Sequence, residues 1–416
     1  MKRRALLKAS AAWGLAQSTQ ASAADDGRAL RIAIISPNTG ALAAFGATNI
    51  YVHELFAQRL AQGLDTRHMG RRKIELELHD AASSSERAAE IASALAASGV
   101  HMVLASATPE ICNPVADVCE AAGIPCVTTV APWQAWFQGR KGDLYKGFQW
   151  TFHFFVGLED FADVHSSLFA RARLGSLVGG IWPDDIDGSA FMAAFPRAME
   201  QRGLRLFEPG RLKLSAPDYK GIATRLRDAR VSMVTGVLPP PMALAFHAAA
   251  REVGYQPRML SLAKAFAFAD TVGQIDQPDL ALTNEVWWSP AWPFSSGFTS
   301  ASSAQVAREY ETRTGKPWVQ TLGFSHAMVD LAVQAVEQAQ EPTRQGLVQA
   351  LRRVKARTVV GPLSFSGRMP SLNVCSTPAV GGQWLKNAQG RWVLEVVDNT
   401  RSPFIPVTAE LTLGQT

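Results

Sequence analysis

Residues able to do chemistry are sparse in this chain. Asp184, Asp185 and Asp187 form its densest acidic group, directly after an apolar run that ends at Trp182. Carboxylates so placed can serve as general acid and base; equally, they can cap a helix opening near Ser189. The eight histidines are scattered without metal-ligand spacing, and His326 fits a helix face more readily than the role of a base. The four cysteines, Cys112, Cys119, Cys126 and Cys375, include no CxxC pair. Cys112 and Cys119 would lie two helical turns apart, roughly 10 Å along the axis, too far for a disulfide. They read as buried small hydrophobes. No nucleophile elbow, P-loop, GxGxxG or HExxH occurs, so neither a cofactor nor a metal is expected.

The elements that must position these residues follow a βαβ cadence. Arg31 to Ile35 is a β-branched run ending at Ser36-Pro37, a buried strand. Helical spacing follows from Ala47 to Ala61, and Lys73 to Asp80 alternates as a half-covered strand. Ser83 and Glu86 make a capping-box pattern for a helix that Gly99 stops. Val100 to Ala105 and Ile124 to Thr128 are further strands, with a helix from Glu110 to Ala122 between them. Between Ala131 and Phe155 the cadence gives way to a crowd of nine aromatic residues. It restarts with strands at Leu177 to Trp182, Val231 to Val237 and Met259 to Leu262, and helices at Ser189 to Arg202, Tyr219 to Asp228 and Pro241 to Val253. Helices from Ala304, Thr321 and Thr343 precede a strand-like tail that includes Gln383 to Leu385 and Trp392 to Val397. The fold class is therefore α/β: two Rossmann-like lobes with parallel sheets, and no internal sequence repeat.

With 416 residues, 47% hydrophobic and 19% charged, the chain is neither fibrous nor disordered. A net charge of +5 raises nucleic acid and anionic membrane as partners. However, Lys2, Arg3, Arg4 and Lys8 precede the weakly apolar run Ala9 to Ala16, and Ala21-Ser22-Ala23 supplies a small-x-small cleavage pattern. Residues 1–23 thus read as an export signal, and Arg3-Arg4-Ala5-Leu6-Leu7-Lys8 resembles the twin-arginine motif. Without those four charges the chain is nearly neutral. No nucleic-acid partner is expected, and no run of about 18 apolar residues offers stable membrane insertion.

One resemblance gathers these readings. Thr39-Gly40-Ala41-Leu42-Ala43-Ala44-Phe45-Gly46, the strand ending in Asp80, Asn113-Pro114-Val115-Ala116-Asp117 with Ala122-Gly123-Ile124-Pro125, and Pro217-Asp218-Tyr219 occur in that order. In this the chain resembles the periplasmic branched-chain amino-acid-binding proteins of ABC transporters, from about Arg31 to Asn399. The resemblance implies the type I periplasmic-binding-protein fold, in which three crossovers join the lobes and a small solute is trapped between them as in a Venus flytrap. It implies lobe 1 at 24–150 plus 286–359, lobe 2 at 151–285 plus 360–400, a tail at 401–416, and crossovers near Phe148 to Phe152, Glu285 and Val360. It also implies a periplasmic location, ABC transporter permease subunits as partners, and no enzymatic activity. Carried over position by position, the ligand-binding residues are Phe45, Ser106, Ala107, Thr108, Val130, Asp187, Pro239 and Lys264. Pro109 and Pro132 replace groups that hold a carboxylate in the family, and Ala263 stands where the family has the acid for an amino group. The expected solute is amino-acid-like or a carboxylate or aromatic acid, held by Lys264 with Asp187 nearby; Trp287 and Trp288 either stack on it or pack in the core. Two alternatives remain: an exported hydrolase using Asp184, Asp185 and Asp187, and a ligand sensor for a membrane receptor.

Overall fold

A computed structural model describes residues 29–414 apart from 276, 278 and 369. The proposed export signal lies outside the described residues. Apart from the short ribbon of Leu64–Asp65 with Arg71–Arg72, five strands come first: β1 (Leu30–Ser36), β2 (Ile74–Asp80), β3 (Met102–Ser106), β4 (Cys126–Thr129) and β5 (Thr151–Phe154). Between them lie α1 (Ala43–Leu60), α2 (Ser85–Ala97), α3 (Pro109–Ala122) and the short α4 (Trp133–Phe137). Next come α5 (Leu158–Ala172), β6 (Leu177–Ile181), α6 (Ile186–Glu200), β7 (Arg205–Phe207), α7 (Tyr219–Asp228), β8 (Met233–Leu238), α8 (Pro240–Glu252), β9 (Met259–Lys264), α9 (Ala269–Gln274) and β10 (Ala281–Val286). Helices α10 (Ser303–Thr314), α11 (Gln320–Gln338) and α12 (Arg344–Arg353) precede β11 (Val374–Cys375), β12 (Val380–Lys386) and β13 (Trp392–Asp398).

The strands make two main sheets. The first, ordered β11-β5-β4-β3-β1-β2, is parallel throughout. The second, ordered β13-β12-β10-β9-β8-β6-β7, is parallel up to β10 and ends in two antiparallel strands. This topology moves two expected boundaries. Thr151–Phe154 pairs in the first sheet, so the first crossover follows Phe154 and does not fall at Phe148 to Phe152. Val374–Cys375 also pairs there, so the third crossover lies between Cys375 and Val380, beyond Val360. The middle crossover follows β10.

Local chemistry explains most element ends. Pro109 opens α3, where its missing N–H costs nothing, and Gly123 closes it at φ 65°. Helix α2 is capped by Ser84, whose hydroxyl accepts from the Arg87 N–H, and not by Ser83. Helix α5 falls outside the predicted elements, although Leu158, Phe161, Leu168 and Ala172 give it a buried face; His165, Ser166 and Ser167, also buried, interrupt that pattern. The aromatic crowd is largely core. Arg140 stacks on Trp136 and Phe148, and Phe154 and Phe155 pack on Phe324. Cys112, Cys119 and Cys126 are buried and free, and burial pushes the Cys112 thiol up to about 12.

Candidate functional site

Strand ends and helix starts from both sheets converge on one cleft. On the first lobe, the loop after β1 is tied down by Asp80, which accepts from the Asn38 N–H at 2.9 Å and the Thr39 hydroxyl at 2.6 Å. Burial pushes the Asp80 carboxyl up, but those bonds and the Ala82 N–H outweigh it and hold the group below its ordinary range. Ser83, freed from capping, donates to the Thr39 carbonyl at 2.6 Å and accepts from the Leu42 N–H at 3.0 Å. Gly46 completes the arrangement, because a Cβ there would lie 2.2 Å from the Pro37 carbonyl oxygen. Helix α1 thereby packs close to the loop and delivers Phe45 to the cleft, edge-on to Phe268 of the other lobe at 5.0 Å.

Thr108, Pro109, Val130 and Pro132 complete the first-lobe wall. The buried Thr108 hydroxyl has no protein hydrogen-bond partner. Val130 sits at φ 71°, a conformation L residues rarely adopt. His153 fixes the next peptide by a 2.8 Å bond to the Ala131 carbonyl, and burial pulls its pKa down to about 3, so it is neutral.

The second lobe brings the charge. Asp187, in the first turn of α6, pairs with Lys264 at the end of β9. Burial pulls the Lys264 pKa down, but Asp187, with Glu110 and Asp185 beyond it, outweighs that and raises it above the ordinary lysine value. Lys264 also holds strained backbone, φ 67° and ψ −56°. Glu285, at the end of β10, is buried in the cleft wall. His165 of α5 binds it at 2.8 Å through Nε2, while its Nδ1 meets the Thr235 hydroxyl at 2.9 Å. Phe155, Phe161, Phe191, Ala263, Ala267 and Trp287 fill the remaining wall, leaving a cavity of about 40 Å³.

Of the residues expected from sequence, Phe45, Thr108, Val130, Asp187 and Lys264 meet here. Ser106 and Ala107 are buried behind Thr108, and Pro239 caps α8; none of these three lines the cleft. Lys264 is paired rather than a free cation. Trp287 lines the cleft, whereas Trp288 is buried and its indole donates to the Val359 carbonyl. Glu285 was not expected. The β9–β10 register pairs Ser261 with Thr283, and carrying it on by two residues sets Glu285 beside Ala263. The acidic trio has other employment: Asp185 caps α6 by accepting from the Gly188 N–H, and exposed Asp184 faces Arg211. Among the described residues no cluster of three or more His, Cys, Asp or Glu could hold a metal, and no helix is long and apolar enough to cross a membrane.

Two open sheets with their carboxyl ends facing a shared cleft, joined by three short crossovers, define a hinged binder of small solutes. The chain belongs to the periplasmic binding protein family, whose model matches residues 29–378. That family is a class of extracytoplasmic solute-binding proteins. No curated protein matches the chain in sequence. Its fold is that of a leucine-binding protein from Thermotoga maritima (TM-score 0.72, 14% identity, 89% of this chain and 99% of that one). It is likewise that of a solute-binding protein of an ABC transporter from Rhodopseudomonas palustris, in complex with 3,4-dihydroxybenzoic acid (0.71, 16%, 90% and 99%). A third similar structure is a branched-chain amino-acid transporter substrate-binding protein from Streptococcus pneumoniae, in complex with isoleucine (0.69, 16%, 89% and 100%).

Proposed function

We propose that this chain traps a small organic solute with a flat apolar body between its lobes and delivers it to the permease subunits of an ABC importer. The observation that carries the reading is the convergence of Phe45, Phe155, Phe161, Phe191 and Trp287 around a handful of polar side chains in one interlobe cleft. Ring-lined walls with few, fixed polar groups suit such a solute. Relatives of the same fold hold leucine, isoleucine or an aromatic acid, which supports a solute of that size. The described cavity of about 40 Å³ has room for only a few waters, so the solute enters as the lobes part and is enclosed as they close. Binding and closure need no covalent step, and on this reading the protein is not an enzyme. Export through the twin-arginine route into the periplasm completes the proposal.

Native mass spectrometry of freshly purified protein, paired with small-angle scattering, tests it. A retained small molecule whose removal enlarges the radius of gyration is the expected result. A chain that never carries or accepts a solute, and whose dimensions never change, overturns it.

A further inference from the structure

The cleft is poor in anion-binding groups and rich in those that hold cations. Helix N-termini ordinarily offer free N–H groups to an anion. Here α3 begins with Pro109 and α4 is capped by Pro132, and both prolines line the cleft without an N–H to give. Helix α6 spends its N-terminus on its own acids, Asp185 taking the Gly188 N–H and Asp187 sitting in the first turn. The cleft's one lysine, Lys264, is paired with Asp187, and Glu110 and Asp185 stand within electrostatic reach.

Glu285 then decides the balance. Its carboxylate is the one acid of the cleft lining that Lys264 does not match, because Asp187 takes that cation. With Lys264 and Asp187 paired to each other, the lining offers no unpaired positive charge. Phe45, Phe155, Phe161, Phe191 and Trp287 line the same cleft. Ring faces attract cations, and aromatic cages are a general means of holding substituted ammonium groups.

Resting on the reading of this cleft as the solute site, we infer that the solute carries a cationic nitrogen on an apolar body, that Glu285 is its counter-ion, and that no carboxylate on the solute is needed. His165, with Thr235 behind it, is a positioning residue that fixes the Glu285 carboxylate from the far side.

Titration calorimetry of the full mature chain with three matched probes tests this: phenethylammonium, 3-phenylpropionate and phenylalanine. Phenethylammonium is expected to bind at least about tenfold more tightly than 3-phenylpropionate, with phenylalanine no tighter than phenethylammonium. Glu285→Gln, nearly isosteric, is expected to lose at least about tenfold for phenethylammonium. Glu285→Asp, which keeps the charge should the amide variant fold poorly, is expected to retain the preference for the cation. Tighter binding of 3-phenylpropionate or phenylalanine overturns the inference and leaves solute binding intact. Equal affinity of Glu285→Gln and the wild type for phenethylammonium removes Glu285 as counter-ion and also overturns it. Failure of all three probes to bind at millimolar concentration overturns both the inference and the aromatic-bodied solute proposed above.

Discussion

The two walls of the cleft are built from different chemistry. The first-lobe wall of Phe45, Thr108, Pro109, Val130 and Pro132 carries no charge, and its one hydroxyl has no protein partner. The second-lobe wall holds Asp187, Lys264 and Glu285, with Asp187 and Lys264 paired to each other and Glu285 bound to His165. One lobe therefore carries the charged groups of the cleft and the other forms a largely apolar lid. A charge can be buried in the closed cleft only because its partner sits on the same lobe and travels with it, so closure breaks no ion pair.

The contrast can be broken at its strongest point. Asp187→Ala leaves Lys264, whose side chain is 20% exposed, with only the more distant Glu110 and Asp185, and should cost about 2–3 kcal/mol in urea unfolding. A loss below about 1 kcal/mol would mean that Lys264 swings to water and that the second-lobe wall is not a closed electrostatic unit.

Rearming the lid is the converse experiment. Pro109→Ala combined with Pro132→Thr restores an N–H at each position and adds a hydroxyl, so affinity for 3-phenylpropionate should rise by about tenfold, the scale of one charge-assisted hydrogen bond. No gain would show that the prolines are not what keeps anions out.

The first lobe has a buried carboxylate of its own that does not line the cleft. Asp330 of α11 accepts from the Phe298 N–H and from Gln334, and burial pushes it up to about 6 despite those bonds. Its folded pKa is above the unfolded value, so the stability it contributes is full below pH 4 and is lost as pH rises through 6. Thermal melts of Asp330→Asn should show a shallower fall between pH 4 and pH 6 than the wild type, with a difference of about 2–4 °C. An unchanged slope would assign that pH dependence elsewhere. The smallest effect belongs to Thr108→Val, which removes an unpartnered hydroxyl: stability should move by less than about 0.5 kcal/mol and phenethylammonium affinity by less than about threefold. A larger loss of affinity would give the lid a polar role and weaken the contrast.

What was legible in the sequence follows the range of the forces involved. Strand β1, helix α3 with Pro109 and Gly123 at its ends, and the alternation of β2 are local patterns, and they stand close to where periodicity puts them. Ser83 and Ser84 are adjacent hydroxyls, and only the tertiary contact to Thr39 decides which of them caps α2. Helix α5 was obscured because its inward face carries His165, whose partners lie 70 and 120 residues away. For the same reason nothing local set Glu285 apart, and the resemblance marked it only as lying near the middle crossover. Phe161 and Phe191 carry no local signal separating a cleft wall from a core. The lobe boundaries drifted because Thr151–Phe154 and Val374–Cys375 are short strands whose sheet membership is set by pairing partners and not by their own composition.

Phe155 and Trp287 stand at two of the three crossovers, and their rings meet edge to face at 5.2 Å while both line the cleft. The molecule is thus a lever gripped close to its fulcrum. A solute seated as proposed would press on those rings with a short arm, so small displacements there would become larger ones at the outer rims. Such gearing would let a compact ligand with few contacts signal its presence across the whole width of the protein. It also means that a substitution at either ring changes the swing and the grip together.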